Sequence, residues 1–418
     1  MTPAVNWRWK LVKSSNMGLI YDLTSSFHSK QLQLMLDQAG TATTWMHLED
    51  EKCPSVGELT TAILCERNNK PIWSGPIFDC DENADNAQNS VLKITAMGWF
   101  ELLNRRLVHT GYEWKEMVIE ASGREIVRLP SELHQYELDE IEKQYEEALA
   151  EGIYVPPVGL TEDATQLFYS NTPSIEIAND LLNRANIDYP TGITVGEVAP
   201  TNSVNLTIQQ FANVGAEITK LVNLESGFDF EIHPITRKFN SFRNEIVTGI
   251  AGKGINRGTR IRFTFPGNCT AVGRSSAGTK MQNRTEAVGV YAVGKAESVE
   301  SINKYKMLFE GEVSAPEQVV LPYLVAYASA ETVTLENPFR ILTFTPRSVT
   351  NSKSFSVPKP FEDYEIGDVV YCKIKKGKRL VVGIPNLQPV RIYTMIINIE
   401  ETGTEKITGI QTTYQSNG

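Results

Sequence analysis

Bulky and polar residues alternate in short runs along both ends of this chain, and each run stops at a turn-forming cluster. A period of two sends successive side chains to opposite faces of a pleated ribbon, so such runs fold as half-buried strands. Trp7-Arg-Trp-Lys-Leu-Val opens the series, and Gly18-Leu-Ile-Tyr-Asp-Leu follows an Asn-Met-Gly turn. Thr41-Ala-Thr-Thr-Trp-Met-His-Leu continues it. Thr61-Ala-Ile-Leu-Cys-Glu-Arg and Pro71-Ile-Trp-Ser-Gly-Pro-Ile-Phe flank Asn68-Asn-Lys, which predicts a hairpin. A polar loop is expected from Asp79 to Asn89, ahead of Ser90-Val-Leu-Lys-Ile-Thr-Ala-Met-Gly-Trp, and Trp99 to Arg106 predicts a short helix. All six tryptophans lie within the first 114 residues. Regularly spaced strands in one compositional unit predict a small β-barrel over 1–114.

From Ser131 the period changes. Leu138, Ile141, Tyr145 and Leu149 form one apolar stripe on a strongly acidic segment, with Ser131 as cap and Gly152 as stop, which predicts a helix over 132–151. A second helix is expected from Ser174 to Asn186 and a third from about Thr207 to Leu221, leading into the strand Phe228-Asp-Phe-Glu-Ile. Alternation then returns in Arg260-Ile-Arg-Phe-Thr-Phe, Ala287-Val-Gly-Val-Tyr-Ala-Val, Val369-Val-Tyr-Cys-Lys-Ile and Val390-Arg-Ile-Tyr-Thr-Met-Ile-Ile. The order β, α, β gives an α+β class that is mainly β.

Composition narrows the function. With 40 Lys+Arg against 50 Asp+Glu in 418 residues, the net charge of −10 argues against a protein that coats nucleic acid or a polybasic membrane anchor. No run reaches the ~18 apolar residues of a spanning helix, and the N-terminus lacks the pattern of a signal peptide. Five scattered cysteines (Cys53, Cys65, Cys80, Cys269, Cys372) without Cys-x-x-Cys argue against a zinc site or a disulfide framework and for synthesis in a reducing compartment. The Asn-x-Thr matches at Asn205, Asn268 and Asn283 are then chance.

Candidate chemistry is thin. Gly273-Arg-Ser-Ser-Ala-Gly-Thr-Lys280 nearly spells a phosphate-binding loop, but Thr279 precedes Lys280 and no helix pattern follows, so a solvated hairpin loop is expected. Asp79, Asp81, Asn83 and Asp85 are spaced like the start of a calcium loop, yet Ala84 stands where Gly is needed and Ser90 where Glu is needed; a polar turn between strands is expected. The histidines (His28, His47, His109, His134, His233) are isolated, no Gly-x-Ser-x-Gly elbow occurs, and Asp229 with Glu231 reads as a solvated strand face. No catalytic, cofactor-binding or metal-ligating residue is assigned, and the chain is expected not to be an enzyme.

Two basic clusters remain, Lys253 to Arg262 and Lys373 to Arg379. The second fits a hairpin tip joining Val369–Ile374 to Leu380–Ile384, where lysines discourage stray strand pairing. It also fits contact with an acidic partner surface such as the acidic helix of a neighbouring copy.

Several segments together resemble the hub proteins at the distal end of phage tails, including siphophage minor tail proteins. Trp7-Arg-Trp-Lys-Leu-Val with Gly18-Leu-Ile-Tyr-Asp-Leu is similar to their opening hairpin, and Lys70 to Ile77 followed by Leu92 to Arg106 to their first barrel. Leu221 to Ile232 resembles the entry to their second barrel, Pro266 to Thr270 and Met281 to Val290 the strands that follow, and Tyr364 to Tyr371 with Pro389 to Tyr393 a barrel strand pair. Residues 111–170 have no counterpart in the resemblance.

The resemblance implies two tail-tube-like β-barrel domains, 1–114 and 206–250 with 321–418. A helix-containing middle domain would span 115–205, and an inserted β subdomain 251–320. It further implies a homotrimeric virion protein of the tail tip, assembled in the host cytoplasm without cofactors. Its expected neighbours are the tail tube, distal tail, tape measure and tip fibre proteins, and phage DNA passes through the ring. A negative lumen suits that passage. Two other functions fit the sequence: a tail-borne cell-wall hydrolase, and a carbohydrate-binding adhesin or distal tail ring protein.

Overall fold

The computed structural model describes residues 5–84, 90–109, 160–162, 166–187, 189–223, 227–243, 254, 257–279, 281–289, 292–314, 321–337, 339–347, 357–377, 387–400 and 404–413. The predicted acidic helix 132–151, together with Trp114 and His134, lies outside them. The chain divides into two compact units, one of residues 3–28 and 37–245, the other of residues 29–36 and 246–418.

The first unit begins with β1 (Trp7–Lys13) and β2 (Leu19–Asp22), while β3 (His28–Met35) belongs, after its first residue, to the second unit. β4 (Thr41–His47), β5 (Thr61–Arg67), β6 (Lys70–Asn83) and β7 (Val91–Met97) complete the sheet, whose order is β4-β7-β6-β5-β1-β2. Alternation works as expected in β1: Trp7, Trp9 and Leu11 are buried, and Trp9 meets Phe27 edge-on at 6.1 Å. β5 is buried on both faces, the signature of a central strand. Its hairpin to β6 turns through Asn68 (φ 51°) and Asn69 (φ 62°), a left-handed pair that asparagine tolerates and that matches strand twist.

β6 changes partner midway, pairing with β5 up to Pro76 and with β7 from Ile77 onward. Gly75 sits where a Cβ would lie 1.9 Å from the Met97 carbonyl oxygen, so only glycine permits the crossing. The polar stretch Asp79–Asn83, expected as a loop, is the second half of this strand: the backbone ladder to β7, from Asp79 opposite Thr95 to Asn83 opposite Val91, outweighs a weak local preference.

After α1 (Phe100–Leu103), the helical part contains β8 (Leu160–Glu162), β9 (Gln166–Pro173), α2 (Ser174–Arg184), β10 (Thr194–Val195), β11 (Ser203–Gln209), α3 (Val214–Val222), β12 (Phe228–Ile232) and β13 (Lys238–Arg243). The helix expected from Thr207 is instead a strand as far as Gln209. β11 pairs with β9, and Asn213 starts the helix by accepting the Ala216 amide at 2.8 Å. Leu103, Leu181, Ile218, Phe228 and Phe239 join one core that both helices and the β12–β13 hairpin cover.

In the second unit, β14 (Arg262–Phe265), β15 (Cys269–Ala277), β16 (Arg284–Val288), β17 (Val293–Glu297), α4 (Val299–Tyr305), β18 (Glu310–Ser314) and α5 (Leu321–Leu335) precede β19 (Phe339–Pro346), β20 (Val369–Ile374), β21 (Gln388–Ile399) and β22 (Glu405–Thr413). The main sheet runs β15-β19-β22-β21-β3. β21 behaves as β6 does: its first half pairs with β20 and its second half with β3, and β14 lies parallel to β20. Phe263 stacks on Phe344 at 6.0 Å and meets Tyr364 edge-on at 5.3 Å in the core.

A separate three-stranded sheet, β17-β16-β18, carries α5 on one face, so close that a Cβ on Gly294 would be 2.3 Å from the Leu324 backbone. The run Ala287–Val293 is therefore not one strand; it breaks at Gly289, whose amide donates to the Ala292 carbonyl, and the chain reverses. The whole is mainly β with a helical part. Among the described residues neither unit's strand path closes into the expected barrel: β2 ends the first path after four residues, and β15 ends the second.

Candidate functional site

The near-miss phosphate loop is strand, not hairpin loop. Gly273 to Ala277 lies in β15, opposite Thr343 to Phe339, and extended backbone cannot wrap an anion. Asp79, Asp81 and Asn83 of the calcium-like spacing fall on β6, where Asp81 pairs with Lys93 at 3.6 Å and both are exposed, while Asp85 lies outside the described residues. Asp229 and Glu231 do not form a solvated face: Asp229 is buried and Glu231 half-buried beside the Phe228–Phe230 core strand. All five cysteines are free, and burial pushes the thiols of Cys80, Cys269 and Cys372 up to about 12, which removes thiolate nucleophiles at neutral pH.

Two of the histidines are not isolated. His28 stacks on Trp45 at 4.5 Å, and His47 meets both rings edge-on, at 5.2 Å from His28 and 5.4 Å from Trp45. This three-ring cluster could not be read from the sequence, because His28 and His47 are nineteen positions apart with no motif between them. His233 closes the β12–β13 turn, its Nδ1 accepting the amides of Ile235 and Thr236 at 3.2 Å each.

An apolar surface forms where α1, α2 and α3 meet their loops. Leu107 bridges to Asn213, the Phe211 amide donates to the Val108 carbonyl, and the Phe211 ring meets His109 edge-on at 5.7 Å. Phe211 is 53% exposed and held at φ 64°, a left-handed conformation costly for a bulky residue. The Arg106 guanidinium donates to the carbonyl of Tyr189, a side chain that is 75% exposed. Exposed rings on a strained backbone are the kind of feature that contact surfaces retain.

Beneath this surface lies a buried charge network. Asp180 accepts from Arg184 Nε at 2.7 Å and from the Tyr169 hydroxyl, and Arg184 Nη1 donates to the His109 carbonyl at 3.1 Å. Burial raises the Asp180 carboxyl to about 6 in spite of the Arg184 charge, which pulls it down. The pair fixes the backbone that presents His109 to Phe211. A second node lies at the start of α1: the Arg237 guanidinium sits 3.7 Å above the Trp99 ring, and Trp99 Nε1 donates to Ser74 Oγ at 2.7 Å.

Among the described residues no three metal-ligating side chains come together, and no helix is long and apolar enough to cross a membrane. Small, open clefts occur among the described residues. One of about 220 Å³ is lined by Gln38, Ala39, Phe100, Glu101, Asn104 and Thr219. Another lies on the small sheet around Arg284, Lys295 and Glu297. The described surface carries sheet edges, exposed rings and charged strand faces.

No protein-family model and no curated protein matches the sequence. Solved structures do match the fold, along nearly the whole length of both chains. A tail protein from Neisseria meningitidis MC58 aligns with a TM-score of 0.54 at 6% identity, over 98% of this chain and 97% of that one. The 43 kDa tail protein of prophage MuSo2 from Shewanella oneidensis aligns at 0.52 and 9% identity, over 96% and 97%. Prophage tail protein gp18 from Listeria monocytogenes EGD-e gives 0.51 and 10% identity, over 98% and 95%. The chain shares its fold with these phage tail proteins.

Proposed function

We propose that this chain is a structural virion protein, the trimeric hub at the distal end of a phage tail, and that it catalyses no reaction. The observation that carries the reading is the end-to-end fold match to three solved tail proteins. The similar use of β6 and β21, each a long strand that changes partner midway, supports two tube-like β halves. The division into 1–114, 115–205, 206–250 with 321–418, and 251–320 belongs to this reading. The separate sheet β17-β16-β18, with α5 packed on it, supports an insertion.

In this role the ring joins the tail tube and distal tail ring to the tip fibres, meets the tape measure protein, and lines part of the path of the DNA. Such a device works by contact, which is what exposed rings and sheet edges provide. The test is stoichiometry. Light scattering on the purified chain, and imaging of the tail tip with the chain tagged, should give three copies per ring. Six copies would move the chain to the distal ring, and a stable monomer that turns over peptidoglycan would overturn the reading.

A further inference from the structure

The two basic clusters of the sequence, more than a hundred residues apart, are brought onto one sheet face by the parallel pairing of β14 with β20. Arg262 stands opposite Tyr371 and Thr264 opposite Lys373, while the Lys375 amide continues the ladder by donating to the Phe265 carbonyl. Phe263, Cys372 and Ile374 point into the core, so the alternate residues point out. Arg260, Arg262, Lys375 and Lys376 are exposed and Lys373 is half-buried. Parallel strands lie ~5 Å apart and advance ~7 Å for every two residues, so Arg262, Lys373 and Lys375 line one face in steps of about that length, with Arg260 just before the paired segment and Lys376 just after it. Nearby Arg257 is neutralised by Asp368 at 2.7 Å; among the described residues no ion pair joins the five to a carboxylate.

Like charges are held together here at a cost, in a protein whose net charge is −10. The arrangement calls for an anionic partner, and the sequence contains one. Residues 132–151 carry eight carboxylates against one cation, Lys143, the densest acidic run in the chain. A polynucleotide fits less well. Single strands are held by stacking platforms, and the patch offers one aromatic residue, Tyr371, on a flat face; an acidic chain also repels a long polyanion.

We propose that the Arg260–Arg262 and Lys373–Lys376 face is a docking surface for the acidic segment 132–151 of a neighbouring copy. The segment's place in the neighbouring copy rests on the oligomeric reading above; the pairing of surface and segment does not. In a ring, each copy offers the patch to one neighbour and the segment to the other, a head-to-tail contact that closes.

The test uses the full chain and a labelled synthetic peptide of residues 130–152. Fluorescence anisotropy at low salt should show binding that weakens as salt rises. The triple variant Arg260→Glu, Arg262→Glu, Lys375→Glu should bind at least about tenfold more weakly. Arg260→Gln, Arg262→Gln, Lys375→Gln is the milder variant if reversal disturbs folding, with circular dichroism as the control. Equal peptide affinity in wild type and variants would sink the proposal, as would a single-stranded 20-mer DNA that binds the patch and displaces the peptide. Light scattering separates the two claims. Loss of assembly in the triple variant supports docking between copies. A chain that is monomeric yet binds the peptide through the patch refutes the ring and the neighbouring copy, and leaves the docking surface standing.

Discussion

The Trp99–Arg237 node gives the sharpest test of how the first unit is held together. Trp99 is almost fully buried, its indole NH satisfied by Ser74 Oγ at 2.7 Å and its face covered by a guanidinium 3.7 Å from the ring centre. Ser74 passes the bond on to the Pro234 carbonyl, and Arg237 donates to the Ser14 carbonyl. One indole thus links β6, the β1–β2 turn and the β12–β13 turn. Replacing Trp99 with Ala removes a buried aromatic, which costs about 3–5 kcal/mol in well-packed cores. It also leaves a desolvated cation without its π partner, a contact of about 2 kcal/mol in a buried setting. We expect Trp99→Ala to lose about 5 kcal/mol, the upper end of the range, and Arg237→Met about 2 kcal/mol. Because both changes remove the same contact, the double variant should lose about 2 kcal/mol less than their sum. Urea unfolding of the full chain, followed by far-ultraviolet circular dichroism, reads all four species. A Trp99→Ala loss below about 1 kcal/mol, or a coupling near zero, refutes the placement of this contact at the centre of the unit.

Three further perturbations test other parts. Arg184→Met should cost about 3–5 kcal/mol by leaving Asp180 buried without its countercharge. The folded pKa of Asp180, about 6 against an ordinary 3.8, means that its contribution is fully present below about pH 4 and is lost as pH rises through 6. The variant pushes that pKa higher, so its deficit against wild type should be larger at pH 8 than at pH 5 in thermal melts; an equal deficit argues against the buried pair. Gly75→Ala should destabilise by about 3 kcal/mol, since backbone and not a movable side chain blocks the new Cβ, whereas Gly278→Ala, with open space around it, should stay within about 0.5 kcal/mol. Phe211→Asn relieves the left-handed strain and should raise the melting stability of the isolated chain by about 1 kcal/mol, while weakening self-association measured by sedimentation. A stability gain with unchanged association would remove Phe211 from the contact surface.

What the sequence discloses here depends on how local the deciding interaction is. The hairpin at Asn68-Asn69 is legible because its left-handed pair and flanking strands lie within a dozen residues. Trp7 to Leu11 is legible because burial follows its own alternation. β3 gave no such signal: His-Ser-Lys-Gln-Leu-Gln-Leu-Met is half polar, and its ladder partner β21 lies more than three hundred and fifty residues onward. Asp79–Asn83 and Gly273–Ala277 were misleading for the same reason, since turn-forming residues become strand when a neighbouring ladder supplies every backbone bond. The contact surfaces obey the same rule. An enzyme of this size usually betrays itself through a few residues whose chemistry demands a spacing, because reacting atoms must converge on one point. A protein that works by contact has no such point. In this chain the exposed ring at Phe211, the His28–Trp45–His47 cluster and the β14–β20 cations are ordinary residues brought together only by the neighbours the fold assigns them. The resemblance to tail hubs is carried by the order of strand patterns, because strand order, not any residue type, fixes which surfaces of a sheet face outward.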